Sequence, residues 1–390
     1  MEDPMRKIGI VSEFFYPHIG GVSEHLYFYA KELTRLGFEV VIITGHKGLK
    51  IDVPLPAGLR VIQLTKSMRV FANGSIGKIS VGWNIGKKVK KILEEEKFDL
   101  LHIHNPLDPI LPLLFLKYSN TITVGTFHTY FKSIPYFKIF QKIAQKYLNK
   151  LSGVATVSKC CSEAMNQYFT TQFKVLPNGV DTDFFSNPSG KIKRYEDGNA
   201  NILFLGRLDP RNDLDSLIEA LPMVLEKIPQ ARLLVVGDGP LRSFYERKSG
   251  SLLGKNIFFE GQVNGNRPDY FATSHVFCYP ATIASFGIAL LEAMAAGTPV
   301  VACNNEGFRG IIQNEANGLL VEPSHPQGLA EAIVKVLQNK PLAEKIKENG
   351  LKTADHFSWP RVTKKILAYY NQIFQREKGV SFCPPELTSE

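Results

Sequence analysis

An alternation limits what this chain can become: short β-branched and aliphatic runs separated by amphipathic stretches, repeated in two series along nearly the whole sequence. Runs this short suit buried strands, and apolar residues three and four apart between them suit helices, so the pattern predicts α/β architecture with parallel sheets covered by helices. The first series places strands at Ile8 to Ser12, Val40 to Thr44, Val61 to Leu64, Leu100 to His104, Thr121 to Thr126, Gly153 to Val157 and Lys174 to Leu176. The second places them at Ile202 to Leu205, Leu233 to Val236, Ile257 to Glu260, Val276 to Tyr279, Val300 to Ala302 and Leu319 to Val321. Between the series, Asn187 to Asn201 carries Pro188, Ser189, Gly190 and Gly198 without apolar periodicity, which predicts a boundary between domains 1–186 and 187–358. Val362, Ile366, Tyr369, Tyr370 and Ile373 then share one helical face in 359–377, and 378–390, with Pro384 and Pro385, is expected to be a disordered tail.

Composition narrows the class. At 390 residues there is room for two domains of roughly 150 residues each. The 44% hydrophobic and 21% charged fractions exclude wholesale disorder. No apolar run reaches the ~18 residues of a membrane span. Met1 to Lys7 lacks the layout of a secretion signal, so cytoplasmic residence is expected. Five cysteines, with Cys160 and Cys161 adjacent, form neither a CxxC pair nor a disulfide framework, which reads as reduced thiols and argues against zinc. The net charge of +9 suits an anionic small molecule or an anionic lipid surface. Nucleic acid is the weakest reading, because no recognised module or arginine-aromatic patch accompanies the charge.

Three stretches carry chemistry. Pro17-His18-Ile19-Gly20-Gly21-Val22 joins the first strand to a helix with Val22, Leu26, Tyr29, Ala30 and Leu33 on one face. Glycines there let backbone amides approach a phosphate, although the same pattern serves a tight turn, and neither GxGxxG nor a Walker lysine is present. Gly206-Arg207-Leu208-Asp209-Pro210-Arg211 follows a buried-looking strand, which places Arg207 at the carboxyl edge of a sheet, where a guanidinium suits a diphosphate or a structural ion pair. Pro280 to Met294 leads from a strand end into a helix, with Ser285 expected as N-cap and Gly287 giving close backbone approach. Glu292, about two turns in, is placed to grip a vicinal diol such as a ribose, or to be a solvated helix residue. His102 and His104 alternate on one strand and, with no third ligand near in sequence, read as structural. Ile85, Val89, Ile92 and Leu93 share one helical face with Lys87, Lys88, Lys90 and Lys91 opposite. That helix can lie on anionic lipid, or be a solvated face paired with Glu94, Glu95 and Glu96.

Taken in order, Gly20-Gly21-Val22, Thr126-Phe127-His128-Thr129, Pro177-Asn178-Gly179-Val180-Asp181, Gly206-Arg207, Gly237-Asp238-Gly239-Pro240, Ser285-Phe286-Gly287 with Leu291-Glu292-Ala293-Met294, and Asn317-Gly318-Leu319 closely resemble the family 4 retaining glycosyltransferases. The amino-terminal half looks most like the bacterial phosphatidylinositol mannosyltransferases. The resemblance runs from Lys7 to about Ile373 and implies a GT-B fold of two Rossmann-like, doubly wound parallel-sheet domains facing across a cleft. The closing helix would return to the first domain. It also implies a nucleotide-sugar donor, GDP- or UDP-linked, a lipid or glycan acceptor, no metal or cofactor, and a peripheral place on the inner face of the cell membrane.

Carried over residue by residue, the resemblance puts Arg207 on the donor diphosphate, Glu292 on the ribose, and Ser285, Phe286, Gly287 and Ile288 at phosphate or sugar. Gly237 and Val263 line the donor site, and the Gly20-Gly21 loop approaches from the other side. His128 falls near the anomeric carbon, with His25, Arg69 and Lys132 on the acceptor side. The lysines at 87, 88, 90 and 91 match a lipid-docking helix. Two donor-site positions depart from the family: Ala284 replaces the first of two glutamates, and Asn212 replaces a lysine. Those departures keep two further readings open: a nucleotide-sugar-binding paralogue impaired in catalysis, and a GT-B sugar-nucleotide epimerase.

Overall fold

A computed structural model of the chain describes residues 6–17, 20–45, 47–51, 53–72, 75–131, 135–263 and 265–388. It divides into two compact units, Met1–Gly179 with Trp359–Glu390, and Val180–Ser358.

The first unit contains β1 (Lys7–Val11), α1 (Gly21–Arg35), β2 (Glu39–Thr44), β3 (Leu59–Gln63), β4 (Lys66–Ala72), β5 (Ser75–Val81), α2 (Ile85–Glu96), β6 (Leu100–His104), α3 (Leu111–Tyr118), β7 (Ile122–Phe127), α4 (Pro135–Leu148), β8 (Gly153–Thr156), α5 (Lys159–Asn166) and β9 (Lys174–Val175). Seven strands form a parallel sheet in the order β3-β2-β1-β6-β7-β8-β9. Alternation along each strand divides the apolar residues between two faces. Ile8, Ile10, Val40, Ile42 and Leu100 pack under α1, while Val11, Val41, Ile43, Leu101 and Ile103 pack under α2 and α3. The β4-β5 hairpin pairs antiparallel apart from this sheet, with Ser67 opposite Ser80.

The second unit contains α6 (Thr182–Ser186), β10 (Ala200–Leu205), α7 (Leu214–Lys227), β11 (Ala231–Val236), α8 (Arg242–Lys248), β12 (Ile257–Gly261), α9 (Arg267–Thr273), β13 (Val276–Tyr279), α10 (Ile288–Ala295), β14 (Val300–Cys303), β15 (Leu319–Val321), α11 (Pro326–Gln338) and α12 (Lys340–His356). Its parallel sheet has the order β12-β11-β10-β13-β14-β15. The division between units falls before α6, not after 186 as the sequence predicts. Phe185 of α6 is buried and meets Phe271 of α9 edge-on at 5.8 Å, so a short apolar helix that reads as the end of one domain belongs to the next.

α13 (Trp359–Lys378) belongs to the first unit and lies against α1, where Val362, Ile366 and Tyr370 are buried. The expected disordered tail is ordered through 388. Phe382 stacks on Phe38 at 5.6 Å, and the backbone N–H groups of Phe382 and Cys383 donate to Asn371 Oδ1 at 2.7 and 2.9 Å. Burial of one phenyl ring and two satisfied amides outweigh the local Pro384-Pro385 signal. Among the described residues no helix is long and apolar enough to cross a membrane.

Candidate active site

In each sheet the strand order reverses once, between β1 and β6 in the first unit and between β10 and β13 in the second. In open α/β sheets ligands bind outside the carboxyl ends of the strands at such a reversal. In the second unit this point is occupied by Gly206-Arg207 after β10 and by Pro280 to Gly287 after β13. Backbone packs on backbone here. Gly237 has φ +130, and a Cβ on it would fall 2.0 Å from Gly206 O; one on Gly239 would fall 2.5 Å from Leu208 O. Gly206 N donates to Val236 O at 3.0 Å and Leu208 N to Asp238 O at 3.0 Å. The Gly237-Asp238-Gly239 motif therefore braces the Arg207 loop.

Arg207 is half-buried, its side chain 34% exposed, with Nε 3.7 Å from Asp209 Oδ2. Arg211 Nε lies 4.0 Å from the other oxygen of the same buried carboxylate. Two guanidiniums thus share one anion, leaving a net positive charge at the sheet edge. Asn212 is buried; its Nδ2 donates to Arg207 O at 2.6 Å and its Oδ1 accepts from Tyr279 OH at 3.2 Å. Burial pushes the Tyr279 hydroxyl up to about 12, so it stays a donor. The side chain at 212 therefore fixes the Arg207 backbone, which is how the structure places this sequence-predicted donor residue.

Thr282 N donates to Arg211 O at 3.0 Å and ties the two edge loops together. The loop at Ala284 lies on Gly307, whose Cβ would meet Ala284 O at 2.4 Å. Phe286 is buried, edge-on to Phe357 at 5.7 Å. The helix cap is Gly287, with φ 128, and α10 begins at Ile288, so Ser285 is not the N-cap that the sequence predicts. Glu292 is buried and accepts from Arg267 Nη1 at 2.8 Å; Arg267 in turn lies over the Phe185 ring. A solvated Glu292 is thereby overturned, and Arg267 is a charge that the sequence reading missed. Val263 follows β12, two strands away from β10.

At the matching edge of the first unit charge is buried and neutralised. His102 Nδ1 meets Tyr370 OH at 2.7 Å and His102 Nε2 meets Thr126 Oγ1 at 2.7 Å, while Tyr29 OH meets Tyr370 OH at 2.7 Å. His104 Nδ1 and His128 Nε2 are hydrogen-bonded at 2.6 Å, and His128 N donates to Asn105 Oδ1 at 2.9 Å. The His25 ring packs at 5.3, 4.9 and 5.0 Å from those of His104, His128 and Trp359. Burial pushes His25 down to about 3, against the pull of Asn178, and His102 to about 3. It pushes His104 and His128 well below the ordinary range, the neighbouring imidazoles adding to the effect. All four are uncharged near neutrality.

His25, His104 and His128 also correct the expectation that His104 lacks a third ligand nearby: one atom from each lies within 4.8 Å of the others. Two nitrogens on one tetrahedral ion with bonds near 2.05 Å stand about 3.3 Å apart. The 2.6 Å contact between His104 and His128 is instead a hydrogen bond.

Glu13, the second residue past the end of β1, was also missed. It is buried, accepts from Ser80 Oγ at 2.7 Å and from Leu111 N at 3.2 Å, and burial pushes its carboxyl up to about 7, with Asp108 adding to the rise. Asp108 is likewise raised to about 7 by burial, although Asn105 opposes it. The signal was available, since Glu13 stands two residues past β1 as Arg207 stands two residues past β10.

Gly20 caps α1 and a Cβ there would meet nothing within 4 Å. Gly21 opens that helix. Arg69 lies on β4 opposite Lys78, but its side chain, and Lys132, His18 and Ile19 altogether, lie outside the described residues. On α2, Lys87, Lys88, Lys90 and Lys91 are exposed, Lys91 pairs with Glu95 at 3.5 Å, and Lys90 sits over Tyr118. Glu96 pairs with Lys7 and Arg60 instead.

Comparison with known proteins follows the same division. The family described as Glycosyltransferase Family 4 matches residues 19–184, and the one described as Glycosyl transferases group 1 matches residues 189–353. The phosphatidyl-myo-inositol mannosyltransferase of Mycobacterium leprae is 30% identical over 370 residues, covering 94% of this chain and 97% of the relative. That of Mycolicibacterium smegmatis is 31% identical over 370 residues, covering 94% of each. A solved glycosyltransferase from Rickettsia africae superposes with a TM-score of 0.73 at 21% identity, covering 96% of this chain and all of the other.

Proposed function

The chain belongs to glycosyltransferase family 4 and has the GT-B architecture, and from that premise we propose that it moves a hexose, of mannose or glucose type, from a nucleotide-sugar donor to a lipid or glycan acceptor with retention of configuration. The observation that carries this reading is the braced, half-buried Arg207 at the strand-order reversal of the second unit. A fixed guanidinium there stabilises the diphosphate as the bond from the anomeric carbon to its oxygen breaks, and it needs no reorganisation at that moment. Backbone amides of Phe286 to Ile288, with Ser285, assist at phosphate or sugar. Glu292, oriented by Arg267, takes the ribose hydroxyls, and Gly237 and Val263 flank the nucleotide. Gly20 and Gly21, at the start of α1, leave backbone amides open to a phosphate. His128, neutral and hydrogen-bonded to His104, accepts from a sugar hydroxyl near the anomeric carbon. His25, Arg69 and Lys132 serve the acceptor, whose hydroxyl proton passes to the leaving phosphate oxygen.

Mannose is the first sugar to test, because the mycobacterial relatives are mannosyltransferases by name. GDP-mannose, UDP-glucose and UDP-N-acetylglucosamine, each offered with phosphatidylinositol vesicles and with soluble glycans, should yield an α-linked product from at least one donor. Silence with every pair would overturn the reading. A second reading, binding without turnover, is favoured by two observations: position 284 has no carboxylate and the 212 side chain has both ends engaged. Tight calorimetric donor binding without product, together with gain of activity in Ala284→Glu/Asn212→Lys, would select it. The enzyme reading also places the chain at the cytoplasmic face of a membrane, with the exposed lysines of α2 facing anionic lipid.

A further inference from the structure

The apolar face of α2 is already committed. Ile85, Val89 and Ile92 are buried with Leu101, Phe115 and Leu116, so α2 offers a lipid surface charge and nothing to insert. α4 does the reverse. It buries Phe137 and Leu148 against Phe131, Tyr168 and Phe169, and Tyr147 reaches the apolar cluster that α2 and α3 fill. Outward it turns Ile139, Phe140 and Ile143, which are 76%, 53% and 59% exposed. At about 100° per residue these three make one contiguous arc. Lys138, Lys142 and Lys146, all exposed, make the adjacent arc, and the helix contains no acidic residue. Single exposed apolar side chains are ordinary, whereas three large ones on one arc beside a row of cations mark an interaction surface.

We propose that the outward face of α4 inserts into an anionic lipid bilayer, with Ile139, Phe140 and Ile143 at the boundary between headgroups and acyl chains and Lys138, Lys142 and Lys146 against the headgroups. The mixture of arcs identifies the occupant. A second copy docked through this face about a two-fold axis would bring two lysine rows, and no acidic residue of α4, into one interface, which like-charge repulsion opposes. A bilayer of anionic lipid answers both arcs at once. The division of labour follows: α2 supplies attraction and α4 supplies insertion. Neither depends on which sugar the enzyme transfers.

The test uses the full chain with phosphatidylcholine vesicles, with and without phosphatidylglycerol. Ile139→Ser/Phe140→Ser/Ile143→Ser should lower partitioning onto the anionic vesicles by roughly tenfold or more. Its melting temperature should match that of the parent, because these side chains already face water. Ile139→Trp should show blue-shifted emission on anionic vesicles and quenching by brominated acyl chains. Equal sedimentation of the triple variant, or an indole at 139 that brominated lipid fails to quench, would overturn the proposal. So would a concentration-dependent dimer in sedimentation velocity that the triple variant abolishes, since the face would then belong to a second copy. Donor turnover with a soluble acceptor reports separately on the transfer reaction, so loss of docking and loss of chemistry are distinguishable.

Discussion

Two sheets with the same order of strands treat charge at their carboxyl edges in opposite ways. The second unit sets Arg207 and Arg211 half-exposed around the single buried carboxylate of Asp209, so a positive charge is held ready at the edge. The first unit buries four neutral histidines and the raised carboxyl of Glu13 at the same topological position, beside the half-buried and likewise raised Asp108. One edge exposes cationic side chains, and the other packs neutral imidazoles against one another and against hydroxyls. Strand order fixes where a ligand can sit, and the side chains just beyond the strand ends fix what kind.

The largest test of that contrast is at Arg207. Arg207→Ala should lower kcat by about 10² to 10³, roughly 3–4 kcal/mol, with the melting temperature little changed, because the removed group is a preorganised charge and not a packing element. Arg207→Lys should recover only part of the loss, since an ammonium lacks the planar fork. Steady-state kinetics on whichever donor of that panel gives product decides it. A variant as active as the parent would mean that the second edge does not act through this charge.

The next test compares two glycines. A Cβ at Gly237 would lie 2.0 Å from a backbone oxygen at a φ of +130, so Gly237→Ala must displace the Arg207 loop. A cost of about 2–3 kcal/mol in denaturant unfolding is expected, with activity falling alongside it. At Gly20 a Cβ would meet nothing within 4 Å and the backbone is extended, so Gly20→Ala should stay within about 0.5 kcal/mol. Equal stability losses at the two sites would remove the claim that only the second edge is braced by its glycines.

The strands were legible because a strand covered on both faces needs a continuous apolar run, and each of the thirteen predicted runs overlaps an observed strand. The β4-β5 hairpin escaped that reading. Its apolar runs are short, Val70-Phe71-Ala72 on one side and the isolated Ile76 and Ile79 on the other, and the Asn73-Gly74 pair, a hairpin-turn dipeptide, is the sequence signal that marks it. Arg207 was legible from its place after a strand. Arg267 was not, because its role depends on α9 meeting α10, a contact that local sequence does not encode. The histidine cluster draws on α1, β6 and the residue after β7, so sequence spacing concealed the approach of His25 to His104 and His128.

Glu13 gives the smallest effect and the sharpest reading of the first edge. Its carboxyl is raised from 4.5 to about 7, burial first and Asp108 second among the causes that raise it. Below the lower value the folded and unfolded chains are both protonated there. Between the two the unfolded chain ionises first, so this group makes stability fall as pH rises from 4.5 towards 7. The histidines work with the opposite sign: His25 and His102 drop from 6.5 to about 3, so their contribution is lost as pH falls through that window. Glu13→Gln removes the first trend and keeps the second. The substitution also loses an acceptor for either Ser80 Oγ or Leu111 N, a penalty of about 1 kcal/mol that does not vary with pH. Urea unfolding should therefore show the variant gaining on the parent by on the order of 1–3 kcal/mol between about pH 4 and pH 8. A difference that stays constant across the range would mean that Glu13 ionises normally where it sits, and the first edge would then carry a charge as the second does.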